Sequence, residues 1–308
     1  MPLQVFDRLV AQCSALPRAP FAVVAPTTDV ALSGAMAAFR AGLIDPILVG
    51  PERAIRALAS ELGLDPSTLA VVDATDDEDA ARKAVALCVQ GKARGLMKGS
   101  LHTDVLMHAV LDHQSGLRTT RRVSHAFVID APSYPRPLIV TDAAINIYPT
   151  LDDKVDIAKN AIELAHALGI PVPNVAILSA VETVSSKITS TIDAAALCKM
   201  SDRKQITGAV LDGPLAFDTA VSAEAAHIKH LVSPVAGSAD IFLVPDLESG
   251  NMLAKQLEYL GGAELAGVVL GARVPIVLTS RSDSARARLA SCAVAVLRAA
   301  ATDGAAPA

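Results

Sequence analysis

The sequence has no tryptophan, and aromatic residues make up only 3% of its 308 positions. Stacking on an aromatic ring is therefore not the expected way of holding a nucleotide base. The chain also lacks an excess of positive charge, since its formal net charge is -5 and its isoelectric point is near 5.8. Phosphate-backbone binding needs a basic surface, so a nucleic-acid partner is not expected. Any anionic ligand must be held by local arginines.

Cysteines are few and stand singly, without a CxxC pair or the spacing of metal ligands. They are Cys13, Cys88, Cys198 and Cys292. We expect reduced thiols in a cytosolic protein, and no metal site.

Long apolar runs are missing as well. No stretch reaches the ~20 residues that cross a bilayer, and Asp7 and Arg8 interrupt the apolar segment near the start. That start does not have the pattern of a secretion signal. We expect a cytoplasmic protein without membrane contacts.

Hydrophobic residues are nonetheless abundant, at 52% of the chain against 19% charged, so sizeable cores can be buried. Short β-branched runs such as FAVVAP, DPILVG and VPIVLT recur and alternate with segments of helical period. Runs without polar alternation are typical of strands buried on both faces. The predicted fold class is α/β.

A chain of this length predicts two domains. We place the first at residues 1–145 and 276–308 and the second at residues 146–275, so that the last helix rejoins the first domain. Within the chain, the segment DAPSYPRP at 130–137 separates two short strands. This spacing favours an antiparallel hairpin over a crossover.

In parallel sheets, ligands bind where strands end and helices begin. One such place is MKGSLHTD at 97–104, where the order Lys-Gly-Ser differs from the Gly-Lys-Ser of a phosphate-binding P-loop. No GxGxxG follows any strand either, so nucleoside triphosphate and dinucleotide sites are not expected. The segment is either an ordinary turn or an anion site with Lys98, Ser100 and Thr103.

Other polar residues stand at further strand ends. Arg118, Arg121 and Arg122 precede a strand, and a group of arginines in an acidic protein can bind phosphates bidentately, although single arginines usually face solvent. Asn146 follows the strand PLIVTD, and Asn251 follows IFLVPD at the expected start of a helix. Each asparagine either belongs to a helix cap or lines a binding site.

The segment VPIVLTSRSDSARARL at 274–289 predicts a strand, a turn and a helix from about Ala285. Asp283 or Ser284 can cap that helix. Arg281 has no such explanation, because a cation is unfavourable near a helix N-terminus unless an anion binds beside it. The turn therefore predicts an anion site.

These segments closely resemble the phosphate acetyl/butyryltransferase family. The resemblance is carried by GSADIFLVPDLESGNMLAK, GVVLGARVP and TSRSDS, joined by MKGSLHTDVLM, VTDAAINIYPT and LDGPLAFDTAV, and it covers nearly the whole chain. The chain looks especially like the transferase part of proteins that fuse an enoyl-CoA hydratase (MaoC-type) domain to a phosphate acetyltransferase.

The resemblance implies two α/β domains of the isocitrate/isopropylmalate dehydrogenase-like fold, a homodimer, and a cleft between domains where coenzyme A (CoA) and acyl phosphate meet. The implied reaction converts acyl-CoA and phosphate into acyl phosphate and CoA, without a metal or a permanently bound cofactor. The family's serine-arginine pair falls on Ser280 and Arg281, and its catalytic aspartate falls on Asp283. The three arginines named above are then candidates for the phosphates of CoA.

Acetyl transfer is the first expectation and butyryl transfer the second. A rival is a non-catalytic acetyl-CoA sensor, like the regulatory domain of some malic enzymes, which need not retain Ser280, Arg281 and Asp283. A metal- and NAD-dependent dehydrogenase of the same fold would need clustered aspartates, and the sequence does not arrange its aspartates in that way.

Overall fold

A computed structural model of the chain describes residues 4–114, 116–280 and 283–303. The chain divides into two compact units. The terminal unit consists of Phe6–Arg121 and the chain from Ala266 onward, and the central unit consists of Arg122–Leu265 with the residues up to Val5. Both units contain helices and strands, so the α/β class is confirmed.

In chain order, the elements are α1 (Val5–Cys13), β1 (Ala19–Val24), α2 (Asp29–Arg40), β2 (Ile44–Gly50), α3 (Glu52–Glu61), a 3-10 turn (Pro66–Thr68), β3 (Ala70–Asp73), α4 (Asp77–Val89), β4 (Gly95–Lys98), α5 (Thr103–Leu111), β5 (Ser124–Asp130), β6 (Leu138–Thr141), α6 (Leu151–Ala167), β7 (Asn174–Leu178), α7 (Thr189–Asp202), β8 (Val210–Leu215), α8 (Phe217–Val221), α9 (Ala223–Ile228), β9 (Ile241–Leu243), α10 (Leu247–Tyr259), β10 (Glu264–Leu270), β11 (Ile276–Val277) and α11 (Ala285–Asp303).

In the terminal unit, the strands lie side by side in the order β3, β2, β1, β4, β11 and β10. The pairs among β3, β2, β1, β4 and β11 are parallel, and β11 pairs antiparallel with β10. Phe21, Leu48 and Leu96 are fully buried, as expected of apolar runs covered on both faces. Parallel pairing brings the carboxyl ends of β1, β4 and β11 to one edge of the sheet.

In the central unit, the strand order is β5, β6, β9, β7 and β8. The β5–β6 pair is antiparallel, which confirms the predicted hairpin, and the other pairs are parallel. Ile129, Val140 and Phe242 belong to one buried apolar cluster of this unit. Because β6 pairs with β9, the hairpin belongs to the central unit. The two units divide the chain at 121/122 and 265/266, earlier than the boundaries that we placed at 145/146 and 275/276.

Helix starts follow the capping residues in the sequence. Thr28 accepts a hydrogen bond from the backbone N–H of Ala31 and begins α2, and Ser284 caps α11 by accepting from the N–H of Ala287 at 3.0 Å. The predicted start of a helix at Asn251 is wrong. Helix α10 begins four residues earlier because the carboxylate of Asp246 accepts from the N–H of Ser249 at 2.8 Å.

The segment that predicts a strand at 274–279 pairs as a strand only at Ile276–Val277. Of the helices in the described ranges, none is both long enough and apolar enough to span a membrane.

Candidate functional site

A pocket of about 520 Å³ lies at the carboxyl edge of the terminal unit's sheet. It is formed by the loops that follow β1, β4 and β11, together with the first turn of α2. Its lining residues are Thr27, Thr28, Asp29, Val30, Ala31, Met97, Lys98, Gly99, Ser100, Thr279, Ser280 and Arg288. We call it the strand-end pocket. Lys98, Ser100 and Ser280, three residues proposed from the sequence, are brought together here.

A close backbone approach holds one wall of the strand-end pocket. A Cβ atom on Gly99 would lie 2.3 Å from the carbonyl oxygen of Val24 and 2.6 Å from that of Ala25, so only glycine fits there. The approach places Ser100 beside the β1–α2 loop. Its Oγ accepts from the N–H of Thr27 at 3.2 Å and lies 3.0 Å from Oγ1 of Thr28. Two hydroxyl groups are thereby fixed at the pocket.

Among the described residues that line the pocket, two carry a positive charge and one carries a carboxylate. Lys98 lies at the end of β4, and its Nζ approaches the carbonyl of Gly99 at 3.4 Å. Arg288 lies on α11, and its Nη2 donates to the carbonyl of Ser280 at 3.2 Å. Asp29 is in the first turn of α2. The lining therefore has a net positive charge, which suits an anionic ligand.

The turn between β11 and α11 is closed by Asp283. Its Oδ2 accepts from the backbone N–H of Ser280 at 2.7 Å, and its own N–H donates to the carbonyl of Ser280 at 3.3 Å. Since Ser284 caps α11, the side chain of Asp283 is not the helix cap, and it lies next to the pocket residue Ser280. Arg281, the central residue of the sequence-based site, lies outside the described residues. Thr103 begins α5 and is not among the residues that line the pocket.

A second polar arrangement lies in the central unit, at the carboxyl end of β6. The carboxylate of Asp142 is 2% exposed and accepts hydrogen bonds from the backbone N–H groups of His125, Ala144, Ile145 and Asn146. Nδ2 of Asn146 donates to Oδ2 of Asp142 at 2.6 Å and to the carbonyl of Val123 at 2.9 Å. Both amide protons are used, so the orientation of the Asn146 side chain is fixed.

Asn146 in turn holds an arginine. Nε of Arg122 donates to Oδ1 of Asn146 at 2.7 Å and lies 3.6 Å from a carboxylate oxygen of Asp153. No hydrogen bond joins Nη1 or Nη2 of Arg122 to another described residue, and the side chain is 56% exposed. Asn146 itself is 2% exposed. Arg122 and Asn146 were both proposed to contact a ligand. Arg122 has exposed N–H donors that can do so, whereas Asn146 is buried and holds Arg122 in position through its Oδ1.

The remaining proposed contacts have other partners. Nη1 of Arg118 is 3.0 Å from Nε2 of His113 and 3.4 Å from the carbonyl of Leu111, at the end of α5. The backbone N–H of Arg121 donates to Oγ1 of Thr119 at 3.1 Å. Asn251 donates from Nδ2 to the carbonyl of Ala143 at 3.2 Å, within the central unit. None of these three lines the strand-end pocket.

Burial changes the acid-base behaviour of His125 and of the cysteines. Desolvation lowers the pKa of His125 from 6.5 to about 4, against the opposing effect of Asp142, and Nδ1 has no hydrogen-bond partner among the described residues. Desolvation raises the pKa of each of the four cysteines to about 12, and all four are free thiols, as predicted. They are not poised to act as thiolate nucleophiles at neutral pH.

The described residues contain no group of three or more His, Cys, Asp or Glu side chains that could hold a metal ion.

Among the lining residues that sequence reasoning did not propose, Thr27, Thr28 and Arg288 offer hydrogen-bond donors to the pocket. Thr27 and Thr28 follow β1, and the sequence signal there was only that of a helix cap. Arg288 is eight positions after Ser280 and within a helix, so nothing in the linear pattern distinguished it from the neighbouring Arg286. Its position in the pocket becomes visible only when α11 is placed against the loop.

Comparison with known proteins gives concordant results. Residues 76–296 match the family described as phosphate acetyl/butaryl transferase. The chain is 59% identical over 295 residues to a phosphate acetyltransferase of Rhizobium meliloti, covering 96% of this chain and 93% of that protein. It is 41% identical over 295 residues to a phosphate butyryltransferase of Clostridium acetobutylicum, covering 96% of this chain and 98% of that protein.

A solved structure is similar over most of its length. The branched-chain phosphotransacylase from Enterococcus faecalis V583 has a TM-score of 0.81 and 29% sequence identity, covering 91% of this chain and 99% of that one.

Proposed function

Because the chain belongs to the phosphate acetyl/butyryltransferase family, we propose that it transfers an acetyl group between CoA and inorganic phosphate. The observation that carries this proposal is the strand-end pocket, where Lys98, Ser100 and Ser280 surround a positively charged space beside Asp283. Acetyl is proposed before butyryl because the acetyltransferase relative is 59% identical and the butyryltransferase relative 41%.

The reaction needs no covalent enzyme intermediate. In the direction of acetyl-CoA synthesis, the sulfur of CoA attacks the carbonyl carbon of acetyl phosphate and a C–S bond forms. The bond between that carbon and the bridging oxygen then breaks, and inorganic phosphate leaves. The thiol proton passes to a base. The enzyme has to bind both substrates, align them, and stabilise the oxyanion of the tetrahedral intermediate.

Asp283 is the proposed base. An ordinary thiol has a pKa of about 8.5, so transfer of its proton to a carboxylate is uphill by several pKa units. Nearby cations reduce that difference by stabilising the thiolate. The hydrogen bond from the N–H of Ser280 to Oδ2 of Asp283 holds the carboxylate next to the pocket residue Ser280.

Ser280 and Arg281 are proposed to act on the phosphorylated substrate. The guanidinium group of Arg281 would bind phosphoryl oxygens bidentately, and the hydroxyl of Ser280 would donate to the developing oxyanion. Lys98 and Ser100 contribute a charge and a hydroxyl to the same pocket. A negative ligand also accounts for the presence of Arg281 close to the N-terminus of α11.

For the phosphates of CoA, Arg122 is the strongest of the three proposed arginines. Its Nε is anchored by Asn146, and its Nη groups offer two donors to an anion. Arg118 and Arg121 remain proposed ligands of the same molecule, as do Thr103 and Asn251. The proposed role of Asn146 is to position Arg122, because its own amide protons are already used.

Three finer features stay predictions. The isocitrate/isopropylmalate dehydrogenase-like fold with a cleft between its two domains and the homodimer come with the family, and the cytoplasmic location comes from the cysteines and the start of the sequence. No permanently bound cofactor and no metal are proposed for the reaction.

The proposed function is tested by following thioester absorbance at 233 nm with acetyl, propionyl and butyryl phosphate as substrates. We expect turnover with acetyl phosphate at the highest kcat/KM, and loss of most activity in Arg281→Ala with retained folding. Higher kcat/KM with butyryl phosphate would identify a butyryltransferase instead. Binding of acetyl-CoA without turnover of any acyl phosphate would identify a sensor and reject the enzymatic proposal.

A further inference from the structure

Arg288 reaches the strand-end pocket from the second turn of α11. Its backbone N–H donates to the carbonyl of Ser284 in the first turn, and its side chain runs back toward the N-terminus of the helix, the direction that helical side chains favour. The guanidinium group thereby contacts the carbonyl of Ser280 through Nη2. Arg288 is therefore a residue of α11 whose guanidinium group lies at the loop between β11 and α11.

The stem of Arg288 is held by its packing. A Cβ atom on Gly34 of α2 would lie 3.4 Å from Cδ of Arg288 and 3.8 Å from Cε of Met97, which are ordinary contact distances, so the arginine stem packs closely against α2 beside β4. Arg288 is half-buried. A packed stem and one anchored Nη group reduce the conformational entropy that the side chain loses when a ligand binds.

The donors around the guanidinium group suit a small tetrahedral oxyanion. Lys98 supplies a second positive charge, and the hydroxyls of Thr28, Ser100 and Ser280 line the same space. A phosphate group presents oxygen acceptors in several directions, whereas the acyl chain and the thioester of the other substrate present one carbonyl oxygen. A pocket lined by two cations and several hydroxyl groups therefore matches the phosphate better than the thioester.

We propose that Arg288 is a phosphate-binding residue of this site, contacting the inorganic phosphate or the phosphoryl group of the acyl phosphate. This inference rests on the proposed function for its substrate. It assigns a ligand to the guanidinium group of Arg288 and explains why this cation lies beside the N-terminal turn of α11, where an unliganded cation is unfavourable.

The kinetic test compares wild type with Arg288→Gln and Arg288→Lys in the reaction of acetyl-CoA with inorganic phosphate. We expect Arg288→Gln to raise the KM for phosphate ~10- to 100-fold, the range for losing hydrogen bonds to a charged group. The KM for acetyl-CoA should stay within about 2-fold. Arg288→Lys should fall between the two, since lysine keeps the charge but not the planar fork. Added guanidinium ion should restore part of the activity of Arg288→Ala.

Arg298→Gln is the matched control, because it makes the same change on the same helix at a residue that does not line the pocket. Equal rises in both KM values, or a fall in kcat and melting temperature alone, would mean that Arg288 only braces the loop at Ser280, and would overturn the inference. A rise in the KM for CoA that disappears with dephospho-CoA would assign the arginine to a phosphate of CoA and overturn it as well.

A binding measurement separates this inference from the proposed function. Calorimetric titration of wild type and Arg288→Lys with inorganic phosphate needs no turnover. Weaker binding by the variant supports the inference even if no acyl phosphate is turned over, in which case only the proposed function fails. Equal binding by both proteins, or no binding by wild type, refutes the assignment of Arg288.

Discussion

Acidification should destabilise the central unit through a single buried histidine. His125 is 1% exposed, and burial lowers its pKa to about 4 from the 6.5 of the unfolded chain. Between these two values the unfolded state binds a proton that the folded state does not. The stabilisation is therefore fully present above pH 6.5 and is lost as the pH falls toward 4. At pH 5, this difference amounts to about 2 kcal/mol.

The assay is the free energy of unfolding in urea at pH 7.5 and at pH 5, for wild type and for His125→Leu. Other groups titrate in this range in both proteins, so the informative quantity is the difference between the two pH dependences. We expect wild type to lose about 2 kcal/mol more than the leucine variant on acidification. Leucine is close in volume to histidine and does not titrate.

His227→Gln is the control, because it removes a histidine that is exposed on α9. It shows how much a substitution at an exposed histidine alters the pH dependence, against which the effect at His125 is compared. If His125→Leu loses as much stability between pH 7.5 and pH 5 as wild type does, the imidazole is not buried in its neutral form, and the reasoning from desolvation fails.

The other predictions concern the two polar arrangements. Asp283→Asn keeps an acceptor for the N–H of Ser280 but removes the base, so kcat should fall ~100-fold or more with little change in the KM for CoA; a selective rise in that KM would contradict the assignment. Arg122→Gln and Asn146→Ala should each raise the KM for CoA, and the double variant no further, because one acts through the other; a double-mutant cycle that gives additive effects would contradict this. Gly99→Ala should lower the free energy of unfolding by ~1–3 kcal/mol, because its Cβ meets the Val24 carbonyl at 2.3 Å; equal stability of wild type and variant in urea would contradict it.

The helix starts show how far local chemistry reaches. Ser284 was recognisable as one of two candidate caps because a side-chain oxygen three residues before a free N–H acts within one turn of the chain. The same logic failed at Asn251, where Asp246, five residues earlier, was the cap. Where several polar residues follow one another, more than one of them can cap a helix. The backbone conformation in the folded protein decides which one does.

The asparagine at the end of β6 shows where sequence reasoning stops. Asn146 was proposed as a polar residue lining a binding site, and the position after the strand was correct. Asn146 is only 2% exposed and lies beneath Arg122. This position depends on the antiparallel pairing of β5 with β6, because that pairing brings the carbonyl of Val123, just before β5, within 2.9 Å of the Asn146 amide after β6. The pairing of strands thus decides whether a polar side chain faces a ligand or holds the residue that does.

The amino-acid sequence by itself determined the α/β class, the hairpin between β5 and β6, the family, and the strand-end loops that contain Lys98, Ser100 and Ser280. These features depend on periodicity, caps and motifs, which are contiguous along the chain. The tertiary structure decided that the loops after β1, β4 and β11 form one pocket, and that Arg288 enters it. Strand order and the packing of α11 against α2 bring together residues more than 250 positions apart in the sequence. Patterns that span only a few neighbouring residues cannot predict such a contact.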